Sequence, residues 1–366
     1  MKIAFFEPWH GGSHRAFLDA WTLRTRHEIT VHGLPARHWK WRQESSAWEL
    51  ARRVIEEPAP DLVACSDYVD LPRLLGFLPE TWRALPTLAY FHENQLTYGE
   101  AVAGQRAPDF THGFCNVLTA VRAGPLVVNN PFHHKDFGKA ASELLRKLPK
   151  PGPREELRLA LERAHVVPPL PELEAVPLGS GGPSGAPLRA AFPHRMEPDK
   201  DPCAFFEAVT RAREHVDLEL ILLGGDLRRA TPAIQEAARR ASDITSHAGF
   251  AEDRAEYLHL LGGADVVVST AHHEFFGVAF LEALAAGCQP LAPDRLNYPS
   301  LVAASALHVD GEDLVRQLIR WGSPEGLAHA RDPAQRRATR AGALDLDASR
   351  HATRLDDVCE DAAVPY

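Results

Sequence analysis

Strand-length apolar runs alternating with helical patterning, in two successive sets, constrain this chain more than any other feature. "KIAFFEP", "HEITVHGLP", "DLVACS", "TLAYFHE" and "PLVVNN" form the first set, and helix-like sequence such as "HRAFLDAWTLR" lies between them. Strands that alternate with helices predict a parallel sheet covered on both faces, so its strands read as nearly unbroken apolar runs. From Leu148 to Pro187 the alternation gives way to sequence dense in proline and glycine, ending in "GSGGPSGAP". Proline removes backbone donors and glycine adds freedom, so regular structure is expected to stop there. The glycines are read as linker rather than phosphate loop, because Pro183 interrupts them and no helical pattern follows Gly185. A second set follows, with "LRAAFPHR", "LELILLGGD", "DITSHAGF", "DVVVSTA" and "QPLAPD" as strands and "DPCAFFEAVTRAREH" and "GVAFLEALAAG" among the helices.

The expected fold class is therefore α/β, with two Rossmann-like domains whose parallel sheets face an interdomain cleft. Their boundaries are placed at 1–165, a linker at 166–187, a second domain at 188–345, and a tail at 346–366. The tail's weak pattern reads as a helix returning to the first domain. Ligands of such sheets sit beyond the carboxyl ends of the strands.

The totals exclude several classes. At 366 residues and 45% hydrophobic, the chain has length and apolar content for two cores without a disulfide or metal staple. Forty-nine acids against forty bases give a net charge of −9, which excludes a generic nucleic-acid-coating protein and requires any nucleic acid to meet a local patch. The five cysteines are scattered without a CxxC pair, which points to a reducing cytoplasm and away from a zinc knuckle. The nineteen histidines form no HExxH spacing, so no metal site is expected. "MKIAFFEPWHGG" lacks the length of a secretory signal, and no run reaches the ~18–20 apolar residues of a membrane span. A cytoplasmic protein with no membrane and no obligate protein partner is the expectation.

Candidate chemistry centres on "EFFGVAFLE", which sets Glu274 and Glu282 eight positions apart across a helix start. The N–H groups around Phe276–Val278, beside Gly277, suit a diphosphate. Two readings stand here. The acids are acceptors for two sets of sugar hydroxyls, or one complements the helix dipole and the other is a solvated mid-helix glutamate. "HRMEPDKDP" adds Arg195 and Lys200 at another strand end, either as cations that neutralise a diphosphate leaving group or as surface charges paired with Glu197, Asp199 or Asp201. In the first set, "EPWHGGSH" brings Gly11, Gly12 and His14 to the start of a helix, where glycine permits close backbone approach. "FHENQLTY" closes a strand with His92, Glu93, Asn94 and Gln95, a group suited to hydroxyl recognition or proton handling, with an interface histidine as the plainer reading of His92. "RHWKWR" interleaves Arg37, Lys40 and Arg42 with Trp39 and Trp41. An exposed indole there stacks on an unpaired base while the cations meet phosphate; the other reading is a core tryptophan with solubilising charges.

These stretches resemble the GT4-type retaining glycosyltransferases of GT-B fold, with Glu274 and Glu282 as the E-x7-E motif and Arg195 and Lys200 as the diphosphate pair. The resemblance is closer to the glycosyltransferase-like family that includes tRNA-queuosine α-mannosyltransferase. It is carried by "GGSH", "LPARHWKWR", "YFHENQL", "PHRMEPDKDP" and "ADVVVSTAHHEFFGVAFLEALAAGCQPLAPDRLNYP". It implies GDP-mannose as donor and queuosine at a tRNA anticodon, that of tRNA-Asp, as acceptor. Glu274 would hold the mannose hydroxyls, Glu282 the ribose, and His92 would stand near the sugar. The implied donor side comprises Gly11, Gly12, Arg195, Lys200, Gly249, Phe250, Glu274, Phe275, Phe276, Gly277, Val278 and Glu282. The acceptor side comprises His14, Arg37, Trp39, Lys40, Trp41, Arg42, His92, Glu93, Asn94 and Gln95, and the catalytic set His92, Arg195, Lys200 and Glu274. No metal or other cofactor is implied. The chain departs from the pattern in its compact Pro/Gly-rich middle region. Two rivals stand beside this reading: a GT4 enzyme with a lipid, saccharide or small-metabolite acceptor, and a non-catalytic RNA-binding protein on the same scaffold.

Overall fold

A computed structural model describes residues 1–97, 110–150 and 152–363; Tyr98 of "FHENQLTY" lies outside the described residues. The chain forms two compact units, Met1–Pro171 with Ala348–Tyr366, and Glu172–Asp347.

In the first unit six parallel strands are β1 (Lys2–His10), β2 (Glu28–Pro35), β3 (Leu62–Ser66), β4 (Thr87–Phe91), β5 (Leu126–Val128) and β6 (His165–Val166). They lie in the order β2-β1-β3-β4-β5-β6. All five residues of β3 and all five of β4 are buried, as expected for a sheet covered on both faces. Alternate residues of β1 serve different cores: Ala4 and Phe6 pack with Leu50, Trp82 and Phe137, while Ile3 and Phe5 pack with Phe17, Trp21 and Leu355. Leu355 belongs to the helix Ala348–Ala363, which joins the first unit although it follows the second in sequence. Its buried Asp356 accepts from Trp21 Nε1 at 2.9 Å, Thr25 Oγ1 at 2.6 Å and Arg26 N at 3.0 Å.

The second unit contains β7 (Leu188–Phe192), β8 (Leu218–Leu223), β9 (Thr245–Gly249), β10 (Val266–Val268), β11 (Gln289–Pro293) and β12 (Leu307–His308). The order is β12-β11-β10-β7-β8-β9, which is the doubly wound 3-2-1-4-5-6 order read from the other edge. Leu188, Ala190 and Phe192 face one core, and Ala191 faces the other.

The Pro/Gly-rich stretch divides between the units rather than standing apart as a spacer. Val167 and Leu170 are buried in the first unit's core, and Leu173 and Val176 in the second's. Its backbone is also fastened: Arg336, fully buried, donates to the carbonyls of Gly179, Gly262, Ala264, Ala286 and Ala330. Among the described residues no helix is long and apolar enough to cross a membrane.

Candidate active site

In a doubly wound sheet the crevice opens where strand order reverses, beyond the strands' carboxyl ends. In the second unit that point lies between β7 and β10, and the loops leaving those two strands carry Arg195–Lys200 and Thr270–Glu274. The loops are tied together. Thr270 Oγ1 donates to the carbonyls of Lys200 and Asp201, and the amides of His272 and His273 donate to the carbonyl of Asp199. Asp201, at φ 45°, caps the helix Pro202–Ala212 by accepting from Ala204 N.

This arrangement brings Lys200 onto Glu274. The ammonium donates to the carbonyl of His273 at 2.6 Å and to Glu274 Oε2 at 3.2 Å, with Asp199 Oδ2 at 3.3 Å. Burial works against the Lys200 charge, but Glu274 and Asp199 outweigh it and hold its pKa above the ordinary value. Burial likewise raises the pKa of Glu274, yet Lys200 first and His194 second pull it down to about 2. Glu274 also turns Oε1 toward the amides of Gly277 at 3.1 Å and Phe276 at 3.4 Å. The amides of Phe276 and Gly277 thus meet Glu274. No side chain among the described residues caps the helix Val278–Ala285, whose first-turn N–H groups keep their anion-binding character. Gly277 sits at φ 90°, a left-handed conformation that costs glycine nothing.

Arg195 is half-exposed and pairs with Glu197 at 3.0 Å, so the two cations differ in kind: one buried and fixed, one at the surface. Glu282 accepts from Arg254 Nη2 at 2.6 Å and Tyr257 Oη at 2.9 Å. Phe275 and Phe276 are buried, so their side chains pack rather than face solvent. Gly249 ends β9 with open space at its α-carbon, and Phe250 beside it is 72% exposed. His194, which nothing in the sequence singles out, is buried beside this group. Burial, reinforced by Lys200, pushes its pKa down to about 4, so it is neutral at pH 7.

In the first unit the order reverses between β1 and β3. Glu7, buried in β1, joins two parts of this edge: Oε2 contacts His14 Nδ1 at 3.0 Å, while Oε1 accepts from Ser66 Oγ at 3.1 Å and Trp9 N at 2.8 Å. Burial opposes the charge on His14, but Glu7, with Asp67 and Glu93 behind it, more than offsets that and holds the pKa at about 9. The His92 ring lies 4.0 Å from the His14 ring. Burial, then the charges of His14 and His133, push the His92 pKa well below its usual range, so a neutral imidazole sits beside an imidazolium. Asp67 accepts from His92 N at 2.8 Å, and burial raises its pKa to about 8. Glu7 and Asp67 were missed in the sequence, although an acid directly after "IAFF" and another after "VACS" are the available signals.

Glu93 Oε1 accepts from Tyr68 Oη at 2.7 Å and Gln95 Nε2 at 3.0 Å. Asn94 is fully buried and accepts from the amides of Leu96 and Thr97, so it shapes the loop. Gly11 admits Ala36, whose Cβ would lie 2.7 Å from any Cβ placed there. Of the tryptophan-rich segment, Arg37 and Lys40 are exposed, Trp39 is half-buried beside His112, and Trp41 is 64% exposed. Arg42 corrects the expectation of a phosphate contact: it is buried and donates to Glu49 at 2.9 Å, because its helical position faces inward. Glu7, His14 and His92 each offer a ligand atom, all within 4.8 Å of one another, and form a set able to take a divalent ion.

Doubly wound, six-stranded parallel sheets in both units give the architecture of the GT-B glycosyltransferases, and the family matches over the two halves of the chain put it in that family. More particularly, residues 2–170 match the family described as tRNA-queuosine alpha-mannosyltransferase N-terminal, and residues 182–336 match glycosyl transferases group 1. A tRNA-queuosine alpha-mannosyltransferase of Drosophila melanogaster is 29% identical over 330 residues, covering 87% of this chain and 86% of that protein. Among solved structures, sucrose-phosphate synthase from Thermosynechococcus elongatus superposes with a TM-score of 0.74 at 14% identity, covering 99% of this chain and 98% of that one. Anabaena HepE in complex with UDP and glucose gives 0.67 at 16% identity over 99% and 98% of the two chains. At those identities the two structures show the fold alone.

Proposed function

We propose that this glycosyltransferase moves mannose from GDP-mannose to queuosine at the anticodon wobble position of tRNA-Asp, with retention and without a metal ion, in the cytoplasm. The match of residues 2–170 to the queuosine-mannosyltransferase amino-terminal family carries the reading, because that half holds the expected acceptor residues. The second unit supplies the leaving-group chemistry. Lys200, Arg195 and the uncapped amides of the helix Val278–Ala285 stabilise charge as the bond from sugar C1 to phosphate oxygen breaks. Glu274 and Glu282 accept from the sugar and ribose hydroxyls. The acceptor hydroxyl then bonds to C1 on the same face, and its proton passes to the departing phosphate. His92, neutral at pH 7, is assigned to the sugar, and charged His14 to the acceptor side.

The test is incubation with GDP-mannose and queuosine-containing tRNA, followed by mass analysis of the nucleosides. A hexose gain on queuosine is expected. No gain from GDP-mannose, with gain from another nucleotide sugar, would overturn the donor, and no gain from any would overturn the acceptor.

A further inference from the structure

The helix Trp39–Arg53 has one face that the fold does not use. Gln43, Ser46, Ala47, Leu50 and Ala51 are buried and anchor it. On the other side, Trp41 and Trp48 are 64% and 52% exposed. Seven residues make nearly two turns, so these indoles share a face about 10 Å apart along the axis, and Arg52 follows Trp48 one turn later. The Arg52 guanidinium lies 5.1 Å from the Trp48 ring centre. Neighbouring large apolar side chains left in water mark a binding surface.

Its charge identifies the partner. Glu44 is engaged by Arg73 at 3.1 Å, and Glu49 by Arg42 at 2.9 Å and Arg53 at 3.4 Å. The helix's acids are therefore neutralised within the protein, while Arg52 lies beside Trp48 and exposed Arg37 and Lys40 stand at the start of the helix, on a chain of net charge −9. We propose that Trp48 and Arg52, with Trp41, form a stacking platform for unpaired nucleotides of the tRNA acceptor. The indoles take base faces, and the Arg52 guanidinium, beside the Trp48 ring, takes a phosphate. The helix begins just after β2, whose Pro35 pairs with His10 of β1, so its Trp41 end lies at the sheet edge that carries Gly11 and His14. Its Trp48 end leads away from that edge, so the nucleotides it would take are those flanking the modified base. This inference rests on the tRNA reading above.

The experiment measures tRNA affinity by filter binding at several salt concentrations, with GDP-induced thermal stabilisation as the control. Trp48→Ala is expected to weaken binding of queuosine-containing tRNA about tenfold, and Arg52→Ala to lower the salt slope by about one contact, both with GDP stabilisation unchanged. Wild-type tRNA affinity in both variants would overturn the platform while leaving the acceptor reading in place. A wild-type protein with no affinity for tRNA would overturn that reading first. A change in sedimentation with tRNA affinity intact would assign the face to self-association and also overturn the platform.

Discussion

Lys200 Nζ stands 3.2 Å from Oε2 of Glu274, although 74 residues separate the two in the chain. Both groups are largely withdrawn from water, so each fixes the charge of the other. Lys200→Met leaves Glu274 without its counter-ion. Because a fifth of the Glu274 side chain remains exposed, the expected loss is about 1–3 kcal/mol, below that of a wholly buried pair. Urea unfolding measures it. Glu274→Ala is expected to abolish transfer while leaving a folded circular-dichroism spectrum, and undiminished turnover would remove Glu274 from the chemistry.

Glu282 plays a separable part. Glu282→Gln weakens the contact with Arg254 and leaves the Tyr257 hydroxyl an acceptor. If the carboxylate holds a ribose, KM for the nucleotide sugar rises about tenfold while kcat changes little, since a charged hydrogen bond contributes about 1.5–3 kcal/mol. A fall in kcat at constant KM would contradict a binding role.

The histidine cluster makes the first unit sensitive to alkali. His14 has a folded pKa of about 9 against an ordinary 6.5, so its stabilisation is complete below pH 6.5 and lost as pH rises through 9. Asp67, raised from 3.8 to about 8, favours the protonated folded form and loses stability in the same direction. Unfolding midpoints in urea are expected to fall between pH 6.5 and 9, and His14→Gln is expected to flatten that slope. An unchanged slope in the variant would remove His14 as its source.

Chelation decides how the convergent Glu7, His14 and His92 are used. Transfer is expected to survive dialysis against EDTA, because Glu7 and His14 already neutralise each other as an ion pair. Loss of activity on dialysis, restored by zinc or manganese, would convert that trio into a metal site.

Asp356 ties the carboxyl-terminal helix to the first unit. Asp356→Ala leaves the Trp21, Thr25 and Arg26 donors without their acceptor, an expected cost of about 2–4 kcal/mol in urea unfolding. A change below half a kcal/mol would show that apolar packing alone holds the helix.

Local pattern was enough to settle the sheets. "VACS", "LAYF", "ILL" and "VVVS" are apolar on both pleat faces, which only a sheet covered on both sides satisfies, and the glycines after β1 and before the helix Val278–Ala285 mark turns. The strand-end residues Glu274, Lys200 and His92 were legible for the same reason. Their partners were not. Strand order sets which strand ends adjoin, and so it brings Glu7 to Ser66 and Lys200 to Glu274 across long stretches of chain. Helix phase, fixed only when one face packs, turned Arg42 inward and Trp48 outward. The return of Asp356 to Trp21 likewise depends on a buried contact made after the whole second unit has intervened. Periodicity records burial one residue at a time, whereas charge pairing depends on distances that only the assembled sheets define.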